Sequence, residues 1–204
     1  DLFRAIPPGT VLIHACNAQG SWGGGIAKSF RQRYPGAFQV YKDHCSADLP
    51  EHHVGKSLYI PPQPGDPPGH TVCCLFTSKL GGSQHDRENE ILTQTENAMR
   101  HLLRELSWQE RTAQAKFSGG LRMPRINSGI FGVKWENTHR QLHNMVLAET
   151  PAPEGIGEGD TYVVVYSQPR SPADGKKNKR KAEDDDGDDG FSGMVKKFKA
   201  ALPL

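Results

Sequence analysis

Apolar residues fall along this chain in short runs, separated by longer stretches with helical spacing. Val11, Leu12 and Ile13 form a continuous run that predicts a buried strand over residues 9–14. A helix from Gly25 to Tyr34 follows, with Ile26, Ala27 and Phe30 on its inner face and Pro35 as its stop. Ala37 to Cys45 reads as a second short helix. Ser57 to Ile60 and Thr71 to Thr77 read as strands, divided by a Pro- and Gly-rich surface loop from Pro61 to Gly69. The strongest helical period covers residues 86–106, where Ile91, Leu92, Thr95, Ala98, Met99, Leu102, Leu103 and Leu106 share a face. Asp86, Glu88 and Glu90 suit the positive first turn of that helix. Leu121 to Ile126 is then a strand, Trp135 to Ala148 a helix, and Tyr162 to Tyr166 a β-branched final strand. Strands alternating with helices predict an α/β layered domain.

Two junctions in this pattern carry chemistry. The run from His14 to Ala27, HACNAQGSWGGGIA, takes the chain from a strand through glycines into a helix. Glycines let bare backbone N–H groups approach an anion, and the helix adds its positive end. An ordinary strand-to-helix turn has the same outline, but Asn17 and Trp22 add groups suited to a ribose hydroxyl and a flat ligand face. A second junction, Met123 to Trp135, has the same character, so the two loops are expected side by side at the carboxyl ends of neighbouring strands.

Composition narrows the classes. The 204 residues suit one domain with an appendage, and a net charge of +2 from interleaved acids and bases argues against a nucleic-acid partner. Cys16, Cys45, Cys73 and Cys74 lack metal-type spacing and fit a reducing, intracellular compartment, cytoplasmic or nuclear. Cys73 and Cys74 are expected on opposite faces of their strand. No apolar run is long enough to span a membrane, and the start does not resemble a signal peptide. His139 and His143 stand four apart on one helix without a third ligand and read as a surface pair, so no metal or other cofactor is expected. Composition breaks near Pro169, which divides a domain over 1–168 from a disordered charged tail over 169–204. The tail holds a basic cluster from Lys176 to Lys181, readable as a nuclear localisation signal or a solvated charge run, and then an acidic one from Glu183 to Asp189. Phe191, Met194, Val195 and Phe198 outline a short amphipathic helix that would recruit a protein partner, or a disordered end.

The two loops, HACNAQGSWGGGIA and INSGIFGVKW, together with Cys73-Cys74-Leu75-Phe76-Thr77-Ser78 and Gly81-Gly82-Ser83, resemble the macrodomain family, most of all its fungal ADP-ribose 1''-phosphate phosphatases. The resemblance covers most of residues 1–166 in the family's order. It implies a three-layer α/β/α sandwich with a central mixed sheet. Asp1-Leu2-Phe3 looks like the end of the family's opening motif, so the usual first strand is expected to be missing.

The resemblance also implies a ligand, ADP-ribose or its 1''-phosphate, and a set of residues around it. Asn17 matches the contact to the distal ribose, and the loop from Ala15 and Cys16 through Trp22, Gly23, Gly24, Gly25, Ile26 and Ala27 closes around that sugar. Asn127, Ser128, Gly129, Ile130, Phe131 and Gly132 match the loop that wraps the diphosphate, with Phe131 against the ribose. Asp1 matches the acid that accepts from the adenine amine, with Leu2 beside it. His14 and Asn17 are the catalytic candidates: His14 for proton transfer, because many macrodomains carry asparagine there, and Asn17 for orienting substrate. A core histidine that merely shapes the loop is the alternative reading of His14. The branch that removes ADP-ribose from acidic side chains uses a lysine and a loop-two aspartate, and Phe131 stands at the aspartate's place. Three activities follow as expectations for a monomer: a phosphatase on ADP-ribose 1''-phosphate, a by-product of tRNA splicing; a hydrolase of ADP-ribosylated protein; and a non-catalytic ADP-ribose reader.

Overall fold

Every residue of the first strand, β1 (Val11–Asn17), is buried except Ala15, which is half-buried. Side chains alternate across a strand, so burial of the whole strand requires a packed layer on each face. The computed structural model, which describes residues 1–112, 114–149, 161–166 and 196–200, supplies both layers.

The order along the chain is β1, α1 (Gly25–Arg33), α2 (Pro35–Ser46), the single turn α3 (Pro50–His53), β2 (Ser57–Ile60), β3 (Thr71–Ser78), a 3₁₀ turn (Gly82–Gln84), α4 (Glu88–Arg111), β4 (Leu121–Pro124), α5 (Trp135–Glu149), β5 (Thr161–Tyr166) and β6 (Lys196–Ala200). The sheet runs β2-β3-β1-β4-β5-β6. Its four inner strands are parallel, while β2 and β6 run antiparallel at the edges. Val11, Ile13, Cys73 and Leu75 face α4 and α5 across Ala98, Met99, Leu102, Leu106, Leu142 and Met145. Leu12, Cys16, Cys74 and Phe76 face the α1–α2 layer through Trp22, Phe30, Tyr34, Ala37 and Tyr41. The fold is therefore the expected α/β/α sandwich around a mixed sheet, with Cys73 and Cys74 on opposite faces.

Three differences from the sequence reading have physical causes. Helix α4 continues to Arg111, one turn beyond the expected end, because the N–H of Thr112 still caps onto Trp108 O at 3.0 Å. Strand β4 stops at Pro124 rather than Ile126, since Asn127 adopts a left-handed backbone with φ +64° that no strand tolerates. Residues 196–200, within the segment read as an amphipathic helix or a disordered end, pair with β5 from Thr161–Ala200 to Val165–Lys196 and close that edge of the sheet. The basic and acidic clusters of the tail lie outside the described residues. No helix among the described residues is long and apolar enough to cross a membrane.

Candidate functional site

β1 and β4 are parallel neighbours, so the loops leaving their carboxyl ends meet over one end of the sheet. Between them lies a pocket of about 330 Å³. Of the residues expected at the site, Ala15, Cys16, Asn17, Gly23, Gly24, Gly25, Ile26 and Ala27 line it from the first loop, and Asn127, Gly129, Ile130 and Phe131 from the second. Ser21, Gly82, Arg125 and Ile126 complete the lining and were not anticipated. The loops touch: a Cβ placed on Gly24 would stand 2.7 Å from Ile130 Cδ1. Ile130 is 47% exposed and covers the first loop like a cap.

The first loop is held open by Asn17. Its Oδ1 accepts from the Gln19 N–H at 2.9 Å, its Nδ2 donates to Ser21 O at 2.8 Å, and its carbonyl accepts from the Tyr41 hydroxyl at 2.7 Å. The first turn of α1 closes only from Lys28 N–H to Gly24 O, and no side chain caps it. The N–H groups of Gly25, Ile26 and Ala27 thus lack helical acceptors and sit at the positive end of α1, where an anion is favoured.

The second loop is built on Asn127. Its left-handed backbone is fixed by a buried network in which Thr77 Oγ1 donates to Asn127 Oδ1 at 3.1 Å. Asn127 Nδ2 in turn donates to Thr95 Oγ1 at 2.8 Å and to Thr138 Oγ1 at 3.4 Å. Three threonines from β3, α4 and α5 so hold one residue, and Val133 N–H closes the loop onto Asn127 O at 3.1 Å. Asn127 positions the loop; its amide is already committed to the threonines.

Several expected site residues fall elsewhere. His14 does not line the pocket. It shares a strand face with Leu12 and Cys16, is fully buried, stacks on Phe30 with ring centroids 4.0 Å apart, and meets Trp22 edge-on at 4.7 Å. Trp22 is likewise sealed in that core, stacked on Tyr41 at 4.9 Å. Leu2 is buried beside them, while Asp1 is exposed and accepts the Phe3 N–H at 3.0 Å. Ser128 turns its hydroxyl to Arg125 O at 2.7 Å, and Gly132 serves the turn at φ +64°, its N–H donating to Gly129 O at 3.1 Å. His139 and His143 stack on each other along α5 with centroids 6.1 Å apart.

His14, Cys16 and Cys74 bring a nitrogen and two sulfurs within 4.8 Å of one another. Their geometry does not suit a metal. The Cys16 sulfur lies 3.5 Å from Nδ1 and 3.6 Å from Nε2 of His14, which puts it off the axis of either lone pair. An ion bound about 2.0–2.1 Å along one of those axes would be out of reach of a sulfur so placed. Burial pushes the Cys16 thiol up, but the hydrogen bond from Cys74 and the neighbouring His14 outweigh it and bring it down to about 6.

A third wall comes from the turn after β3. Ser78 Oγ donates to Leu80 O at 2.8 Å and accepts the Asp86 N–H at 2.9 Å, while the Asp86 carboxylate accepts the Lys79 N–H at 2.9 Å. Gly81 N–H reaches Gln19 Oε1 at 2.9 Å, and a Cβ on Gly81 would stand 2.9 Å from Asn17 Nδ2. Glycine is therefore needed there for close approach, and it leaves Gly82 against the pocket.

This arrangement, two glycine-rich loops facing each other at the carboxyl ends of adjacent parallel strands, defines an α/β domain with a pocket at its topological edge. The Macro domain family model matches residues 13–142. A Chaetomium globosum protein named ADP-ribose 1''-phosphate phosphatase is 44% identical over 170 residues, covering 81% of this chain and 90% of that one. A protein of the same name from Aspergillus fumigatus is 37% identical, covering 74% and 89%. Among solved structures, the macrodomain of Mycobacterium tuberculosis DarG superposes with a TM-score of 0.56 at 21% identity, covering 83% of this chain and 94% of that chain. The chain belongs to the Macro domain family.

Proposed function

We propose that this protein is a phosphoric monoester hydrolase that cleaves ADP-ribose 1''-phosphate to ADP-ribose and inorganic phosphate. The observation that carries the reading is the pocket lining. Bare amides of two loops suit a diphosphate, and Arg125, the only cationic side chain among the described lining residues, suits one phosphate more. The 44% identity to a protein named for this activity supports it. In this reading the amides of Gly25, Ile26 and Ala27 and of Gly129, Ile130 and Phe131 meet the diphosphate. Asn17 offers its remaining amide hydrogen to the distal ribose, and Ile130 and Phe131 cover that sugar.

Water attacks phosphorus and gives up a proton, the P–O1'' bond breaks with its electron pair on O1'', O1'' takes up a proton, and Arg125 balances the charge of the released phosphate. His14 has no part in that step, because its ring is fully buried between the sheet and the α1–α2 layer and does not line the pocket. The four thiols are free, in keeping with a reducing compartment.

The test is phosphate release from ADP-ribose 1''-phosphate with a chelator present, beside release of ADP-ribose from a mono-ADP-ribosylated protein. The reading expects turnover of the first and little of the second. Turnover of the modified protein alone would make the protein a de-ADP-ribosylating hydrolase, and binding without turnover of either would make it a reader.

A further inference from the structure

With His14 sealed, the described pocket lining offers no imidazole or carboxylate to move a proton, and the turn after β3 supplies an imidazole in contact with that lining. His85 follows the 3₁₀ turn that places Gly82 on the pocket, and its ring meets the pocket-lining Phe131 edge-on, with centroids 5.9 Å apart. Its Nδ1 lies 2.9 Å from the carbonyl oxygen of Asp86. A carbonyl can only accept, so Nδ1 carries the hydrogen and the neutral ring presents its lone pair at Nε2. The mount is stiff, since Ser78, Asp86 and Gln19 tie the backbone at Leu80, Lys79, Asp86 and Gly81.

We propose that His85 is the proton-transfer residue of this site. This role rests on the phosphatase reading above. Nε2 takes a proton from water as the water oxygen bonds to phosphorus. The P–O1'' bond breaks with its electron pair on O1'', and O1'' receives a proton back from Nε2, leaving ADP-ribose, phosphate and a neutral imidazole. The fixed tautomer gives the base its lone pair without a prior proton shift, and Phe131 holds the ring against the sugar that Phe131 covers.

The experiment compares His85→Ala and His85→Gln with the wild-type chain, measuring kcat for phosphate release, the Kd for ADP-ribose by calorimetry, and the melting temperature. A lost general base costs about 10²–10⁴-fold in rate, so both variants should fall at least about a hundredfold in kcat. ADP-ribose should still bind within about threefold of wild type, since no binding contact is removed. Free imidazole should restore part of the His85→Ala rate and nothing in the wild type. An unchanged kcat overturns the proposal. So does loss of ADP-ribose binding in proportion to activity, or a slow His85→Ala enzyme indifferent to imidazole, because either would reduce His85 to a support for Phe131. A wild-type chain that releases no phosphate overturns the activity itself, a failure visible before any variant is made.

Discussion

Replacing Asn127 tests how the second loop is held. Asn127→Ala removes the acceptor of Thr77 Oγ1 and the donor to Thr95 and Thr138 in a site where all three threonines and Asn127 are buried. Each lost hydrogen bond costs roughly 0.5–1.5 kcal/mol net, and stranding a buried donor such as the Thr77 hydroxyl about 1–3 kcal/mol. A left-handed φ adds about 1 kcal/mol for alanine, which lacks the side-chain oxygen that lets asparagine tolerate it. With the Thr77 bond counted as the stranded donor and the other two as net losses, the total is about 3–7 kcal/mol in urea unfolding at neutral pH. Asn127→Asp separates the causes. It keeps the size, the turn and the bond from Thr77, but sets an acceptor against Thr95 Oγ1, whose hydrogen already goes to Ile91 O at 2.6 Å. Burial raises the folded pKa of that carboxyl above its unfolded value, so the aspartate variant should be most stable in acid and weaken as pH rises through the folded pKa. An alanine variant within about 1 kcal/mol of wild type would refute the network as the loop's support.

Three further outcomes follow from the same geometry. His14→Ala should lose about 2–4 kcal/mol of stability, because it empties a stacked aromatic site, yet turn over at nearly the wild-type rate per folded molecule; a hundredfold slower kcat at full folding would return His14 to the chemistry. Gly81→Ala should push Asn17 out of the first loop and weaken ADP-ribose binding several-fold with a small change in melting temperature, as read by paired calorimetry and thermal melts. Cys16, depressed from 9.0 to about 6 in the fold, stabilises the protein most above pH 9 and loses that contribution as pH falls through 6. Wild type should therefore gain stability between pH 6 and 9 more steeply than Cys16→Ser, and parallel slopes would argue against a buried thiolate.

The parts legible in the sequence were those written locally. Gly23, Gly24 and Gly25 after an apolar strand, and Ser128 to Gly132 after another, announced both loops, and the alternation of elements announced the layers around them. His14 was misplaced because its position next to the loop outweighed its strand parity. Counting by twos from Leu12 through His14 to Cys16 puts it on a face that α1 and α2 cover, and that signal was present. Other features are non-local. The threonines that hold Asn127 come from three separate elements, and Gln19 reaches Gly81 across 62 positions of sequence. Strand β6 reads as a lysine-rich polar segment until β5 offers it an edge, because pairing rather than periodicity makes it a strand.

The central claim is that backbone amides at the two loops, in place of clustered lysines or arginines, carry the diphosphate. Titrating isotope-labelled protein with ADP-ribose in the presence of chelator, while following each backbone amide by NMR, tests it most directly. The account predicts the largest shifts at Gly25, Ile26, Ala27, Gly129 and Ile130, with His14 moving little. Saturable binding that leaves those amides unmoved, or that vanishes with the chelator, would contradict it.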